Sequence, residues 1–273
     1  MKIKKSRKVK LEQILFSQGF GTRKLCRMLI LQGMVEVEGH VCTGINVEFD
    51  VGKPDTDTPL KYAVRGEAWE YHEMAYLMLH KPPGYECSQK PKSHPSVYDL
   101  LPLALRERSK GGVQSVGRLD QDTTGLLLFS DDGQFIHRMA SPKHQVPKVY
   151  EVTTSDPVTD AQMAKLLAGV VLADDPDPVI AKACVRHSDT QLSLTLTSGK
   201  YHQVKRMIAA AGNNVAALHR SAIGRLALPG DLAEGQWRWL TGAELDAVNE
   251  TAAANDLAAG NNVVTKKTGA VKP

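Results

Sequence analysis

The stretch Gly117-Arg118-Leu119-Asp120-Gln121-Asp122-Thr123-Thr124-Gly125-Leu126-Leu127-Leu128-Phe129 decides how this chain is read. An arginine and two acids lie between glycines, and the apolar run from Leu126 to Phe129 follows at once. Four apolar residues bounded by turn signals read as a buried strand. The charged groups are then held at the lip of a rigid element, where catalytic side chains are usually mounted. Asp120 is a candidate catalytic acid on that ground. The alternative is a surface loop whose arginine and acids merely pair.

Working outward, the residues before this stretch predict a strand over Met74-Ala75-Tyr76-Leu77-Met78-Leu79, and His80-Lys81-Pro82-Pro83-Gly84 turns the chain sharply. Beyond it, Phe135, Ile136 and Met139 predict a short helix after Asp131-Asp132-Gly133. Tyr150 to Thr154 reads as another strand. Leu192, Leu194 and Leu196 alternate with polar residues, which predicts a half-buried strand. Ser198-Gly199 leads into a helix over roughly His202 to Ala211, closed by Gly212. Trp237 and Trp239 share one face of a late strand, and Thr241 with Glu244 forms a capping box for a last helix. Strands and helices mix without strict βαβ alternation, so the expected class is α+β with a mixed, largely antiparallel sheet.

From Met74 to about Asn249 the chain resembles the pseudouridine synthases that share a catalytic domain with the ribosomal RNA enzymes, in particular the small-subunit (16S) ribosomal RNA pseudouridine synthase A type. The motifs that carry this are Gly117 to Gly133, His80 to Gly84, Lys148-Val149-Tyr150 and Gly199-Lys200-Tyr201-His202-Gln203-Val204-Lys205-Arg206-Met207. Gly133 to Pro142 and Leu218-His219-Arg220 point within the family to the 16S branch. The resemblance implies isomerisation of a uridine in 16S ribosomal RNA, with a 23S target, a non-catalytic assembly factor and a hydrolytic nucleosidase as rivals.

The resemblance also assigns roles. Asp120 becomes the catalytic aspartate. It must stay ionised in a pocket whose burial would raise its pKa, so a nearby cation is needed. Lys205 is the candidate for that cation; otherwise it is one exposed lysine of a Lys-Arg pair. Tyr150 would pack its ring against the target base and its hydroxyl could move protons. Arg118 would help hold the nucleotide flipped out of its stack. His202, Gln203 and Arg206 are candidates for the pocket wall or for phosphate contacts. His80 and Lys81 are candidate RNA contacts. Asp122, Thr123 and Thr124 are expected to shape the loop through local hydrogen bonds. The reaction involves no redox change, so no cofactor and no metal are expected. No P-loop, dinucleotide-binding or His-Glu-x-x-His motif occurs.

Residues 9–53 form an expected small domain of their own. Leu11, Ile14 and Leu15 suit one face of a short helix. After the Gly19-Phe20-Gly21 turn, Thr22 can cap a second helix. On it Arg23, Lys24 and Arg27 share one arc and Leu25, Met28 and Leu29 the opposite one, giving a buried face and a cationic stripe. Val35, Val37 and Val41 around Glu38-Gly39-His40 suggest a hairpin. This order resembles the S4 RNA-binding domain and implies that Arg23, Lys24 and Arg27 contact RNA.

The remaining segments are read from composition. Six of the first ten residues are lysine or arginine (Lys2, Lys4, Lys5, Arg7, Lys8 and Lys10), so residues 1–8 read as a basic disordered arm, solvated or touching phosphate. Residues 54–73 read as a linker with some edge-strand content and 74–250 as the catalytic domain. Residues 251–273, rich in Ala, Asn, Gly and Lys, read as a disordered tail. The net charge of +4 is mild, and 42% hydrophobic residues in 273 can fill a core. No apolar stretch approaches the roughly 18 residues of a membrane span, and the N-terminus lacks the apolar core of a secretory signal. Cys26, Cys42, Cys87 and Cys184 form no Cys-x-x-Cys pair and no zinc-ligand spacing. A cytoplasmic monomer without membrane contact is expected.

Overall fold

The computed structural model describes residues 7–51, 59–109, 111–173 and 175–249. The basic arm before Arg7, part of the segment after Val51 and the tail from residue 250 lie outside them. The chain forms two compact units, one built from residues up to Ala75 together with Leu101–Gln114, the other from Tyr76–Leu100 and the residues from Ser115 onward.

In the smaller unit, helices Leu11–Ser17 and Arg23–Leu31 pack beside a four-stranded sheet. Thr22 caps the second helix, its hydroxyl accepting from the Leu25 amide. Leu11, Ile14, Leu15, Cys26, Leu29 and Ile30 meet Val35, Val37, Tyr62 and Val64 in one core. Two expectations are corrected. The helix buries Cys26, Leu29 and Ile30, whereas Leu25 and Met28 are exposed. The buried arc is rotated toward Arg23 and Arg27, which therefore border the core and ion-pair with Glu12 at 3.8 and 2.7 Å. The stretch read as a linker with some edge-strand content belongs to the small unit itself: it carries a hairpin, Lys61–Val64 and Glu67–Glu70, which extends the sheet through Val35–Val37 and leaves Glu67–Glu70 at its edge. Tyr62 and Val64 alternate inward there, a pattern too short to stand out among polar neighbours.

Residues 101–114 join this unit through the buried Arg108, which donates to Gln18 Oε1 at 2.7 Å and to the His72 carbonyl at 2.8 Å. Gly19, at φ +90°, lies so close to the short helix Leu103–Arg106 that a Cβ would sit 2.0 Å from the Ala104 oxygen. Only glycine fits both that φ and that space.

The larger unit is α+β. Among the described residues it centres on a nine-stranded sheet. Its main path runs Ala183–Arg186, Gln191–Leu196, Lys148–Thr154, Val215–Ile223, Thr124–Ser130, Tyr76–Lys81, Trp237–Trp239. Every neighbour along this path is antiparallel except Val215–Ile223 against Thr124–Ser130, which is parallel. Leu126, Leu127, Leu128 and Phe129 are all fully buried, as are Leu77, Met78 and Leu79 beside them. These central strands are covered on both faces, which explains unbroken apolar runs where an outer strand alternates.

Asp132 caps the helix Gly133–Ala140 by accepting from the amides of Gln134 and Phe135, and Phe135 and Met139 pack onto the sheet with Met78 and Leu128. The last helix spans 242–249. Its capping box is present, with Glu244 accepting from the Thr241 amide and Thr241 from the Glu244 amide. No described helix is long and apolar enough to cross a membrane.

Candidate active site

The sheet delivers its functional side chains to one cleft of about 670 Å³. Residues 117–123 lead into the central strand Thr124–Ser130 and carry Arg118 and Asp120 to the cleft. A turn in which the Thr123 amide donates to the Asp120 carbonyl at 3.1 Å fixes the loop. Beneath it lies Lys81, wholly buried. Its ammonium donates to the carbonyls of Pro82 at 3.0 Å, Gln121 at 3.0 Å and Thr123 at 2.9 Å. Burial pushes the Lys81 pKa down, while Cys87, Asp122 and Asp120 act the other way. Lys81 thus ties the acidic loop to the end of the neighbouring strand. The expectation that it touches RNA is corrected, because no part of it reaches solvent. His80 also turns inward, its Nδ1 2.8 Å from the Leu232 carbonyl.

The loop is anchored from a second side as well. Gly125, at φ +108°, faces the strand that bears Arg220 so closely that a Cβ would lie 2.3 Å from the Arg220 oxygen. The absence of a side chain lets the parallel pair His219–Thr124 and Arg220–Gly125 form.

The helix Gln203–Ala211 and the residue that precedes it bring Lys205 and His202 to the loop. Lys205 Nζ is 2.7 Å from each carboxylate oxygen of Asp122 and 3.7 Å from Asp120 Oδ2. His202 Nε2 is 3.5 Å from Asp120 Oδ1. The expected Lys205–Asp120 pair is present but is the longer contact, and Asp122 is more than a loop former: it chelates the lysine. Desolvation acts to raise the Asp122 carboxyl, yet the Lys205 ammonium outweighs it and holds the group low.

Of the other predicted residues, Tyr150 is buried and lines the cleft from the strand Lys148–Thr154, directly across from Arg220 in the sheet. Arg118 is exposed at the rim. His202 lines the cleft and stacks on Tyr201, ring centroids 3.8 Å apart. Gln203 lies in the wall but is spent internally, bonded to Ser198 and to the Lys200 amide. This makes it a brace for the 198–200 turn rather than a free phosphate contact. Arg206 is not among the lining residues and donates to the Tyr201 carbonyl at 3.0 Å.

Three contributors escaped the sequence reading. Lys148 and Arg220 line the same cleft. Glu86 folds the segment at the rim, its carboxylate accepting from the amides of Lys92, Ser93 and His94 at 2.9 to 3.1 Å. Those three bonds hold the Glu86 pKa down. Among the described residues no group of three or more His, Cys, Asp or Glu is arranged to hold a metal ion.

A carboxylate, an aromatic wall and cations in one cleft of a mixed, largely antiparallel sheet suit chemistry on a planar base. The chain belongs to the RNA pseudouridine synthases. The family model described as RNA pseudouridylate synthase matches residues 75–210. An uncharacterized RNA pseudouridine synthase, YtzG, of Bacillus subtilis is 37% identical over 245 residues, 89% of this chain and 99% of its own. The ribosomal small subunit pseudouridine synthase A of Escherichia coli K12 is 43% identical over 181 residues, 66% of this chain and 76% of its own. That of Pasteurella multocida is 38% identical over 230 residues, covering 84% and 94%. A crystal structure of a pseudouridylate synthase superposes with a TM-score of 0.60 at 35% identity, covering 88% of this chain and 99% of that one.

Proposed function

We propose that this pseudouridine synthase isomerises a specific uridine of 16S ribosomal RNA, with Asp120 as the catalytic carboxylate. The observation that supports this most is the convergence of Asp120, Tyr150 and Arg118 on one cleft, with Lys205 in ion-pair range of Asp120. The 16S target is supported by relatives named as small-subunit enzymes at 36 to 43% identity.

The chemistry follows from that geometry. The glycosidic carbon of a stacked uridine is inaccessible, so the nucleotide is flipped into the cleft. Arg118 at the rim holds it there, Tyr150 packs against the ring, and Asp120 acts on the base or sugar as nucleophile or proton-transfer group. Lys205 faces that carboxylate from within ion-pair range, and His202 Nε2 lies beside its other oxygen. The smaller unit acts as an S4-like RNA-binding domain, with Arg23, Lys24 and Arg27 toward the phosphate backbone. The enzyme works as a cytoplasmic monomer on small-subunit RNA or an assembly intermediate.

The test is direct. Unmodified 16S and 23S transcripts and partly assembled subunits are incubated with the enzyme, and pseudouridine is mapped by carbodiimide-dependent reverse-transcription stops. A single new stop in 16S RNA is expected. A stop confined to 23S RNA would overturn the substrate assignment, and free uracil without a carbon-linked product would overturn the reaction.

A further inference from the structure

The cleft wall that carries Tyr150 also carries positive charge that the chain leaves without an acid. Arg220 is 2% exposed. Its Nε donates to the Leu126 carbonyl at 2.9 Å, and its Nη2 is buried with no hydrogen-bond partner. Lys148 lies two residues before Tyr150 on the same strand face, and its ammonium donates only to the Val146 carbonyl, at 3.0 Å. Among the described residues neither cation has a carboxylate within ion-pair distance. They are near enough to repel: burial first, and Arg220 second, push Lys148 down to about 8. Holding two like charges side by side in a desolvated wall is unfavourable unless an electron-rich group meets them. The buried, unspent Arg220 nitrogen marks where that group is wanted.

We propose that Lys148 and Arg220 take up the negative charge that develops on the carbonyl oxygens of the target uracil, an inference that rests on the reading of this cleft as the uridine site. The charge arises by either route open to Asp120. If the C1′–N1 bond breaks first, its electron pair stays on the ring and spreads onto O2 and O4. If the carboxylate adds at C6, the C5–C6 pair moves onto O4, and it returns when the carboxylate leaves. In both routes the ring then joins C1′ through C5, C5 loses its proton, and N1 gains one. No electrons enter or leave. A preorganised pair of donors in the wall of the cleft interacts more strongly as charge builds on the ring oxygens, so it lowers the barrier more than it tightens binding.

The experiment compares wild type with Lys148→Met, Lys148→Arg and Arg220→Lys in the full chain. Unmodified 16S and 23S transcripts serve as substrates, with single-turnover rate and RNA affinity measured separately and thermal unfolding recorded for each protein. Lys148→Met should lower the rate on the order of 100-fold with RNA affinity within about twofold, and Lys148→Arg should recover most of the loss. Arg220→Lys should be slow while still folded. An unchanged rate in Lys148→Met overturns the inference. So does weaker RNA binding with a salt slope reduced by about one and an unchanged rate, which would make Lys148 a phosphate contact. An active wild type with unaffected variants overturns this inference alone, whereas a wild type that forms no pseudouridine in any RNA overturns the reading of the cleft and this inference with it.

Discussion

Lys205 is held by Asp122, with both carboxylate oxygens at 2.7 Å, while it reaches Asp120 only at 3.7 Å. Two acids share one lysine, and the acid proposed for chemistry holds the looser share. Asp120 is thereby left less tightly engaged, able to approach a substrate while still facing a cation. On this geometry Asp122 is expected to act as a positioning residue through Lys205.

Removing the Asp122 charge should therefore change Asp120 through Lys205. Asp122→Asn is expected to let Lys205 close on Asp120 or swing away, lowering the single-turnover rate about 10- to 100-fold with RNA affinity preserved. Lys205→Met should cost at least as much, and adding Asp122→Asn to Lys205→Met should cause little further loss, because Asp122 acts through that ammonium. Additive losses in the double variant would show that Asp122 acts independently of Lys205.

The buried Lys81 is expected to matter for the loop without touching substrate. Lys81→Met leaves the carbonyls of Pro82, Gln121 and Thr123 without their donor. A destabilisation of about 2–4 kcal/mol in urea unfolding is expected, together with a lower rate at temperatures where the variant is fully folded. A variant as stable as wild type would remove the clamp from the account.

How much of this could be read in advance differs by element. Leu126 to Phe129 announced a buried strand because both its faces are covered, so apolar character was continuous. The alternating Leu192, Leu194 and Leu196 were equally legible, each pointing inward from a half-buried strand. The hairpin at 61–70 was less so, because only Tyr62 and Val64 are fully buried there and Trp69 packs on the core only in part, among polar and charged neighbours. Asp122 was misjudged because its partner lies 83 residues away, where only the fold brings the helix back to the loop. Lys148 and Arg220 belong to the same class. Each looks like an ordinary strand residue until antiparallel pairing sets the two strands side by side.

The cationic helix of the smaller unit makes a graded prediction. Arg23 and Arg27 are partly engaged by Glu12, whereas Lys24 is exposed and pairs with no acid among the described residues. Replacing all three should weaken RNA binding and flatten its salt dependence. Lys24→Ala alone should lower the slope by about one, the signature of a lost phosphate contact. Titrations of labelled RNA between low and moderate salt check this, and an unchanged slope in the triple variant counts against that surface.

Acid stability should report on the last helix. Glu244 is hydrogen-bonded through both oxygens to Arg238, at 2.6 and 2.8 Å, and that guanidinium holds its pKa down to about 2. The folded value lies below the unfolded one, near about 4.3. The pair therefore stabilises the fold above that pH and loses its contribution as pH falls from there toward 2. Glu244→Gln should flatten the loss of stability across this window relative to wild type, as measured by urea unfolding. Parallel curves for the two proteins would show that the pair carries no linkage.

The central claim is that Asp120 performs the chemistry, and one measurement addresses it most directly. Asp120→Asn removes the charge and keeps the shape. Pseudouridine formation on the wild-type substrate and RNA affinity are measured on the same preparation. The account predicts that product vanishes while binding survives. Full turnover by Asp120→Asn would contradict it.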